Sequence, residues 1–263
     1  MPTVTTHTQG TFNWPELATT DQNAAKKFYS ALFGWEVADQ DVGPNSIYTI
    51  FKNAGRDAAA LHTLEPAMRE AGVPPHWGTY ITVENADATA AKAKALGATI
   101  VVEPFNVMEH GRMAVITDPQ GATFSAWQPL QHPGVGVVAE PSSLAWTELN
   151  SKDVAGSKAF YTALIGWSAK DDAMPADLGG GHYTTWMKAD GPAGGMMPMP
   201  ATAPAPSHWM PYFAVADVDA AHAKAASLGA LTYVPPADIP GTGRFAVVAD
   251  PQGAVFALIK FNG

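Results

Sequence analysis

The pattern of hydrophobic and polar positions predicts short strands separated by a few helices. Alternation over residues 11–17 predicts a first strand, and Pro15, which lacks a backbone N–H, indicates an edge, an end or a bulge there. Asp21 is suited to cap the following helix, and Gly34 to end it. Further strands are predicted at residues 35–38, 46–52, 58–64, 76–83, 99–102, 112–117 and 122–127, with a helical turn at 65–72 and an Ala-rich helix at 87–96. The first half thus reads as one strand, a helix and three strands, twice over.

The same motifs occur twice, at a constant offset of 132 residues, since 146 − 14 = 132 for Trp14 and Trp146. The pairs are Trp14 to Leu17 with Trp146 to Leu149, Phe28-Tyr29 with Phe160-Tyr161, Gly34-Trp35 with Gly166-Trp167, His76-Trp77 with His208-Trp209, and Asp-Pro-Gln-Gly at 118–121 with the same sequence at 250–253. Such a register indicates a tandem duplication. We predict domains at residues 11–128 and 144–263, a flexible arm at 1–10, and a Pro- and Gly-rich linker at 129–143.

Composition and charge narrow the classes of partner. The 263 residues are 47% hydrophobic and 15% charged, as in a globular protein. A formal net charge of −9 without a basic stripe argues against nucleic acid or an anionic membrane as partner. Cysteine is absent, which excludes disulfides and thiolate chemistry. With neither a signal peptide nor an apolar run near ~20 residues, we expect a cytoplasmic protein. The oligomeric state is not readable, and a homodimer is left open.

The repeated motifs resemble those of the vicinal oxygen chelate superfamily, which includes glyoxalase I, extradiol dioxygenases and bleomycin-resistance proteins. The resemblance runs from about Phe12 to Phe261 and is closest to tandem glyoxalase-like proteins of the hydroxylase or 27-kDa antigen type. It implies an α+β fold with two tandem domains. In each domain, paired βαβββ modules would form an open, cup-shaped mixed sheet, with helices outside and the ligand site inside.

The metal enzymes of that superfamily place their ligands at defined strand positions, and this sequence departs from them. The corresponding positions hold Trp14, Gly78 and Ser125 in the first domain and Trp146, Met210 and Ala257 in the second. Divalent ions prefer imidazole or carboxylate donors, which these residues lack, so no metal cofactor is predicted. A metal would need Glu16 or Glu148 with His76 or His208, each two residues from a vacant position, which is ~6.6 Å along a strand.

Four residues are candidates for catalysis: Glu16, Glu148, His76 and His208. Either glutamate could act as a general base, with its pKa raised by burial. Either could equally be bonded to a strand end or paired with an arginine. The two histidines could supply acid–base chemistry, or each could stack with the following tryptophan at the entrance of a strand.

Candidate ligand-binding residues lie at matching places in the two halves: Trp14, Trp146, Tyr48, Tyr183, His62, Ser125, Met197, Met210, Arg112 and Arg244. The arginines could clamp a carboxylate or phosphate, or pair with an acidic side chain of the fold. The two cups are expected to be unequal, because Met197 and Met210 make the second one drier. We expect the second cup to prefer a flat, apolar ligand and the first a smaller, more polar one.

These observations predict a glyoxalase-like small-molecule protein. The first hypothesis is metal-independent proton abstraction, isomerisation or hydroxylation of an oxygenated organic metabolite, with Glu16 or Glu148 as the base. A second is binding and sequestration of a small molecule, as in bleomycin-resistance proteins. A third is a metal-dependent lyase or dioxygenase that uses the shifted ligands.

Overall fold

The computed structural model describes residues 3–44, 46–174 and 180–262. The first half contains β1 (Phe12–Thr19), α1 (Gln22–Phe33), β2 (Glu36–Gly43), β3 (Ser46–Asn53), β4 (Arg56–Thr63), α2 (Pro66–Glu70), β5 (His76–Thr82), α3 (Ala86–Ala95), β6 (Thr99–Val107), β7 (Gly111–Thr117) and β8 (Thr123–Pro129). The second contains β9 (Leu144–Ser151), α4 (Val154–Ile165), β10 (Ser168–Ala173), β11 (His182–Lys188), β12 (Gly191–Pro198), β13 (His208–Ala214), α5 (Val218–Ser227), β14 (Leu231–Ile239), β15 (Gly243–Ala249) and β16 (Val255–Phe261). No helix in these ranges is long and apolar enough to cross a membrane.

Helix α1 begins and ends as its sequence predicts. The Asp21 carboxylate accepts a hydrogen bond from the Ala24 amide at 2.9 Å, which satisfies one of the free N–H groups of the first turn. Gly34 closes the helix in the left-handed conformation, with φ of 76°. The equivalent helix α4 is capped by Asp153 and closed by Gly166 in the same way. These two residue types therefore set the helix bounds in both halves.

Each half forms one open, eight-stranded mixed sheet. The strand orders are β2-β3-β4-β1-β5-β8-β7-β6 and β10-β11-β12-β9-β13-β16-β15-β14. Each sheet joins two modules through its antiparallel central pair, β1 with β5 and β9 with β13. Within the modules, β1 runs parallel to β4 and β5 parallel to β8. The predicted tandem fold of paired βαβββ modules is confirmed.

Strand β1 is central, so Pro15 does not mark an edge strand. It pairs with Thr79 of β5, and the register shifts between Phe12 and Trp14 just before it. The irregularity that Pro15 indicates is thus a local break in a central strand. The predicted bounds of β2 and β6 were also too short, since the alternation of their residues is weak where both strands are largely exposed.

The two halves share their apolar cores through reciprocal contacts. One cluster packs α3 and its strands against α4, and another packs α1 against α5 and its strands. Tyr29 donates to the Asp250 carboxylate at 2.8 Å, and Tyr161 donates to Asp118 at 2.9 Å, all four groups being buried. The repeated Phe-Tyr and Asp-Pro-Gln-Gly motifs therefore meet across the boundary between the halves.

The arm and the linker are hydrogen-bonded to the first sheet or to each other. Val4 N–H donates to Gly136 at 2.9 Å, and the His7 ring lies 3.0 Å from the Val135 carbonyl. Gly10 N–H donates to Thr82 of β5 at 2.9 Å. The arm predicted to be flexible thus has backbone hydrogen-bond partners at Val4, His7 and Gly10.

Candidate functional site

The face of each sheet opposite its helices carries a polar group inside an apolar surround. The first cup consists of Trp14, Glu16, Tyr48, His62, Gly78, Tyr80 and Ser125. The second cup consists of Trp146, Glu148, Tyr183, Met210, Tyr212 and Ala257, and Met197 lies two residues along β12 from the strand partner of Glu148. The two cups have equivalent strand registers. Glu16 pairs with Gly78 across β1 and β5, and Glu148 pairs with Met210 across β9 and β13.

Two phenols hold the Glu16 carboxylate in the first cup. Tyr48 donates to Oε1 at 2.6 Å, and Tyr80 donates to Oε2 at 2.7 Å. Trp14 Nε1 donates in turn to the Tyr48 oxygen at 3.1 Å, and the Ser125 hydroxyl donates to Tyr80. Every donor in this network points toward Glu16, so the carboxylate is held in one orientation.

His62 connects the same carboxylate to solvent. Its Nε2 lies 3.7 Å from Glu16 Oε2, and its side chain is 32% exposed, against 15% for Glu16. His62 pairs with Ala18 across β4 and β1. The imidazole therefore sits beside the carboxylate at the open side of the first cup.

The second cup repeats the hydrogen bonds but closes over its glutamate. Tyr212 donates to Glu148 Oε1 at 2.9 Å, Tyr183 donates to the same carboxyl group, and Trp146 Nε1 donates to Tyr183 at 2.8 Å. Glu148 is only 4% exposed, and Met210 beside it is also buried. The second cup is therefore the drier one.

Burial raises the pKa of Glu148 to about 7, although the hydrogen bonds from Tyr212 and Tyr183 partly oppose the rise. The same burial, with the nearby carboxyl groups, raises the phenol pKa of Tyr48, Tyr80, Tyr183 and Tyr212 well above the ordinary value. All four phenols thus remain neutral donors at neutral pH.

The raised pKa of Glu148 predicts a pH-dependent stability. The folded state holds this proton between the ordinary pKa of 4.5 and about 7, where the unfolded state has released it, so stability falls as pH rises through that window. From pH 5 to 8 the wild type should lose about 2–3 kcal/mol that Glu148→Gln does not lose. Urea unfolding at both pH values measures the difference, with the exposed Glu70→Gln as control. Parallel profiles for wild type and Glu148→Gln would contradict the prediction.

His76 and His208 lie at the start of their strands and contact backbone. His76 Nδ1 is 2.9 Å from the Pro74 carbonyl, and His208 Nδ1 is 3.0 Å from that of Pro206. Within the described ranges, neither ring has a hydrogen bond or ion pair with a cup glutamate. The structure does not bring them together with Glu16 or Glu148 as a catalytic pair.

Arg112 and Arg244 lie on the helix side of the sheets. Arg112 makes two bonds to Asp87 of α3, at 2.6 and 2.7 Å, and Arg244 makes the equivalent bonds to Asp219 of α5. Arg112 alternates with Met113, whose side chain lies in the first cup. The guanidinium group of each arginine thus pairs with a carboxylate on a helix, which is the second of the two roles considered for it, and its contact with a ligand stays a prediction.

Three residues of the site were not predicted from the sequence. Tyr80 and Tyr212 bind the glutamates, and their signal was available: each lies two residues beyond Gly78 or Met210 on the same strand face, at the 132-residue offset. His132 of the linker packs edge-on against Trp14 with ring centroids 4.6 Å apart. No periodic pattern points to His132, because it belongs to neither repeat.

The donors in the cups do not match a three-ligand metal site. In the first cup, Trp14 uses its N–H on Tyr48, Gly78 has no side chain, and Ser125 is bonded to Tyr80. Glu16 and His62 are the two groups of ligand type that approach each other there. Over the described part of the chain, no three His, Asp or Glu side chains are grouped to hold a metal ion.

The comparisons with known proteins agree with this architecture. A family model described as the Glyoxalase/Bleomycin resistance protein/Dioxygenase superfamily matches residues 11–125 and again residues 143–258. The chain belongs to this superfamily. Each match falls on one of the two eight-stranded sheets, so the family resemblance and its tandem arrangement are confirmed.

Two relatives match along nearly their whole length. A Mycobacterium tuberculosis protein with the provisional name glyoxylase CFP32 is 42% identical over 99% of this chain and 98% of its own. The anthracycline biosynthesis protein DnrV of Streptomyces peucetius is 33% identical over 95% of this chain and 92% of its own. Both alignments therefore span the two halves of this chain.

Solved structures share the fold at low identity. The Mn(II)-bound glyoxalase from Novosphingobium aromaticivorans superposes with a TM-score of 0.65 at 16% identity, covering 95% of this chain and 82% of that one. The 2,3-dioxygenase LapB from Pseudomonas sp. KL28 gives 0.67 at 13% identity, covering 97% and 95%. At such identities the likeness concerns the fold alone.

Proposed function

We propose that this protein transfers a proton on an oxygenated organic molecule bound in the first cup, without a metal ion. The observation that carries the proposal is the position of the Glu16 carboxylate. Two phenols hold this group in place, and no side chain fills the space above Gly78, which pairs with Glu16. A general base has to lie within hydrogen-bond reach of the proton it removes, with its own orientation fixed. The names of two relatives, a glyoxylase and an anthracycline biosynthesis protein, fit chemistry on oxygenated carbon compounds.

The proposed step begins with a C–H bond next to a carbonyl group. Glu16 accepts the proton, and the electron pair of the C–H bond moves into the enolate that forms. The protonated Glu16 then returns the proton to a neighbouring atom, which completes an isomerisation. His62, 3.7 Å from Oε2, exchanges protons between Glu16 and solvent. Tyr48 and Tyr80 hold the carboxylate in position in both states.

Hydrogen exchange in heavy water tests the proposal. A panel of α-hydroxyketones and β-diketones is incubated with the protein, and ¹H NMR follows deuterium uptake at the carbon next to the carbonyl. Glu16→Gln should slow the protein-catalysed exchange by ~10²–10⁴-fold, the usual contribution of a general base. Glu148→Gln is the matched control and should keep wild-type exchange. Equal loss in both variants, or no loss in either, would refute the role of Glu16.

Sequestration without turnover is the second candidate, and one observation favours it. Both oxygens of Glu16 already accept a phenol hydrogen bond, at 2.6 and 2.7 Å, so a reacting C–H group has to compete with Tyr48 and Tyr80 for the carboxylate. A binding protein would retain a ligand from the same panel in equilibrium dialysis. It would show no deuterium uptake above the buffer rate, in either the wild type or Glu16→Gln.

A further inference from the structure

The two cups differ most at the position that faces the glutamate. A Cβ atom built at Gly78 would meet a single neighbouring atom within 4 Å, the backbone oxygen of Glu16 at 3.6 Å. The space above Gly78 is therefore not filled by any side chain at that distance. Gly78 also has an ordinary backbone conformation, so its glycine is not needed for a turn.

Met210 occupies the equivalent space in the second cup. It pairs with Glu148 as Gly78 pairs with Glu16. Its side chain is 6% exposed and packs in a cluster with Tyr212, Val247, Ala257 and Ile259. Because protein interiors are close-packed, a methionine in this cluster leaves no room for a ligand group beside Glu148.

The surrounding positions differ in the same direction. His62 and Met197 occupy matching places, since each lies two residues beyond the strand partner of the cup glutamate. Ser125 is matched by Ala257, which removes the hydroxyl that bonds Tyr80. Each exchange makes the second cup more apolar, and none adds a polar group that could contact a ligand.

We infer that ligand binding is confined to the first cup, because Met210 fills in the second cup the space that Gly78 leaves open beside Glu16. The second domain then serves the site by packing against the first and takes no ligand of its own. The inference rests on the proposed function, whose site it assigns to one domain. It replaces the expectation that the second cup takes a flat, apolar ligand.

Methylation of carboxylates by the trimethyloxonium ion tests the inference without a substrate. The reagent has about four non-hydrogen atoms, as does a methionine side chain, so it probes a space of the relevant size. Peptide mass spectrometry at pH 8 measures methylation at Glu16 and Glu148, with the exposed Glu36 as the reference for total labelling. In the wild type, Glu16 should be methylated and Glu148 protected.

Exchanging the residues that face the two glutamates should reverse which glutamate is protected from methylation. Gly78→Met should lower labelling of Glu16 by about tenfold or more, and Met210→Gly should expose Glu148 by a similar factor, because close packing excludes the reagent. Gly78→Ala is the control for folding, since its Cβ makes only an ordinary contact. It should keep most of the Glu16 labelling, and circular dichroism shows whether each variant is folded.

Two outcomes would overturn the inference: equal labelling of Glu16 and Glu148 in the wild type, or undiminished labelling of Glu16 in a folded Gly78→Met protein. If Gly78→Met does not fold, Met210→Gly still decides, because unchanged protection of Glu148 would show that Met210 does not close the cup. Labelling reports access and not turnover. Failure of the deuterium experiment together with the expected labelling would refute the proposed chemistry and leave the assignment of the open cup.

Discussion

Separated halves of the chain are expected to lose their native fold and to regain it when they are combined. Residues 1–140 and 141–263 each contribute large apolar side chains to both shared cores, among them Phe12 with Trp167 and Trp209, and Trp35 and Trp77 with Phe213. Burying one such side chain is worth about 1.5–3 kcal/mol. Exposing six side chains of this kind would cost about 9–18 kcal/mol, comparable to the total stability of about 5–15 kcal/mol that is usual for a protein.

Expression of each half alone and of both together measures this dependence. Near-ultraviolet circular dichroism and gel filtration should show aggregated or loosely packed single halves and a native-like complex of the two. The intact chain is the control. Isolated halves that are monomeric and unfold cooperatively would show that the shared cores are not required. Such a result would support the simpler view that the tandem domains fold independently.

Replacing Asp250 by alanine is expected to cost about 3–5 kcal/mol of unfolding free energy. The carboxyl group accepts hydrogen bonds from the Gln252 and Ala254 amides and from the Tyr29 phenol. Its removal leaves these buried donors without an acceptor, at about 1–3 kcal/mol each. Asp118→Ala should have a similar effect, because Asp118 accepts the equivalent bonds, including the one from Tyr161.

A double-mutant cycle separates the contact between the halves from the turn itself. Tyr29→Phe alone should cost about 1–2 kcal/mol, since it removes the bond to Asp250 and the acceptor of the Trp77 N–H. Urea unfolding of Tyr29→Phe, Asp250→Ala and the double variant gives the coupling energy. Additive losses would mean that Asp250 stabilises only its own turn, and that the phenol contributes nothing across the boundary.

The fold was predictable because the repeat itself carries the information. A constant offset shared by Trp, Gly, Asp and Pro motifs fixes two similar domains, and the strand alternation identifies the face of Glu16, Tyr48 and Gly78. The residues at the superfamily's metal-ligand positions, Trp14, Gly78 and Ser125 in the first domain, were readable for the same reason. These features depend on spacing within one element or on a comparison between the two repeats, and both are visible in a single sequence.

The contacts between distant elements were not predictable. Tyr29 and Asp250 are 221 positions apart, and no local pattern indicates that they meet. Arg112 could have faced a ligand or a helix, and only the packing of α3 places Asp87 beside it. His132 lies in a segment with the composition of a linker, yet it packs against Trp14 in the first cup. In each case tertiary packing determines which residues are in contact.

The reciprocal bonds also bear on how the two copies could diverge after duplication. Tyr29 of the first copy donates to Asp250 of the second, and Tyr161 of the second copy donates to Asp118 of the first. A substitution at any of these four residues therefore removes a hydrogen bond from a residue in the other copy. Gly78 and Met210 instead pair with the glutamate of their own copy. The boundary between the copies therefore resembles a homodimer interface, in which the same tyrosine–aspartate contact is made twice and a substitution in one copy changes the partner of a residue in the other.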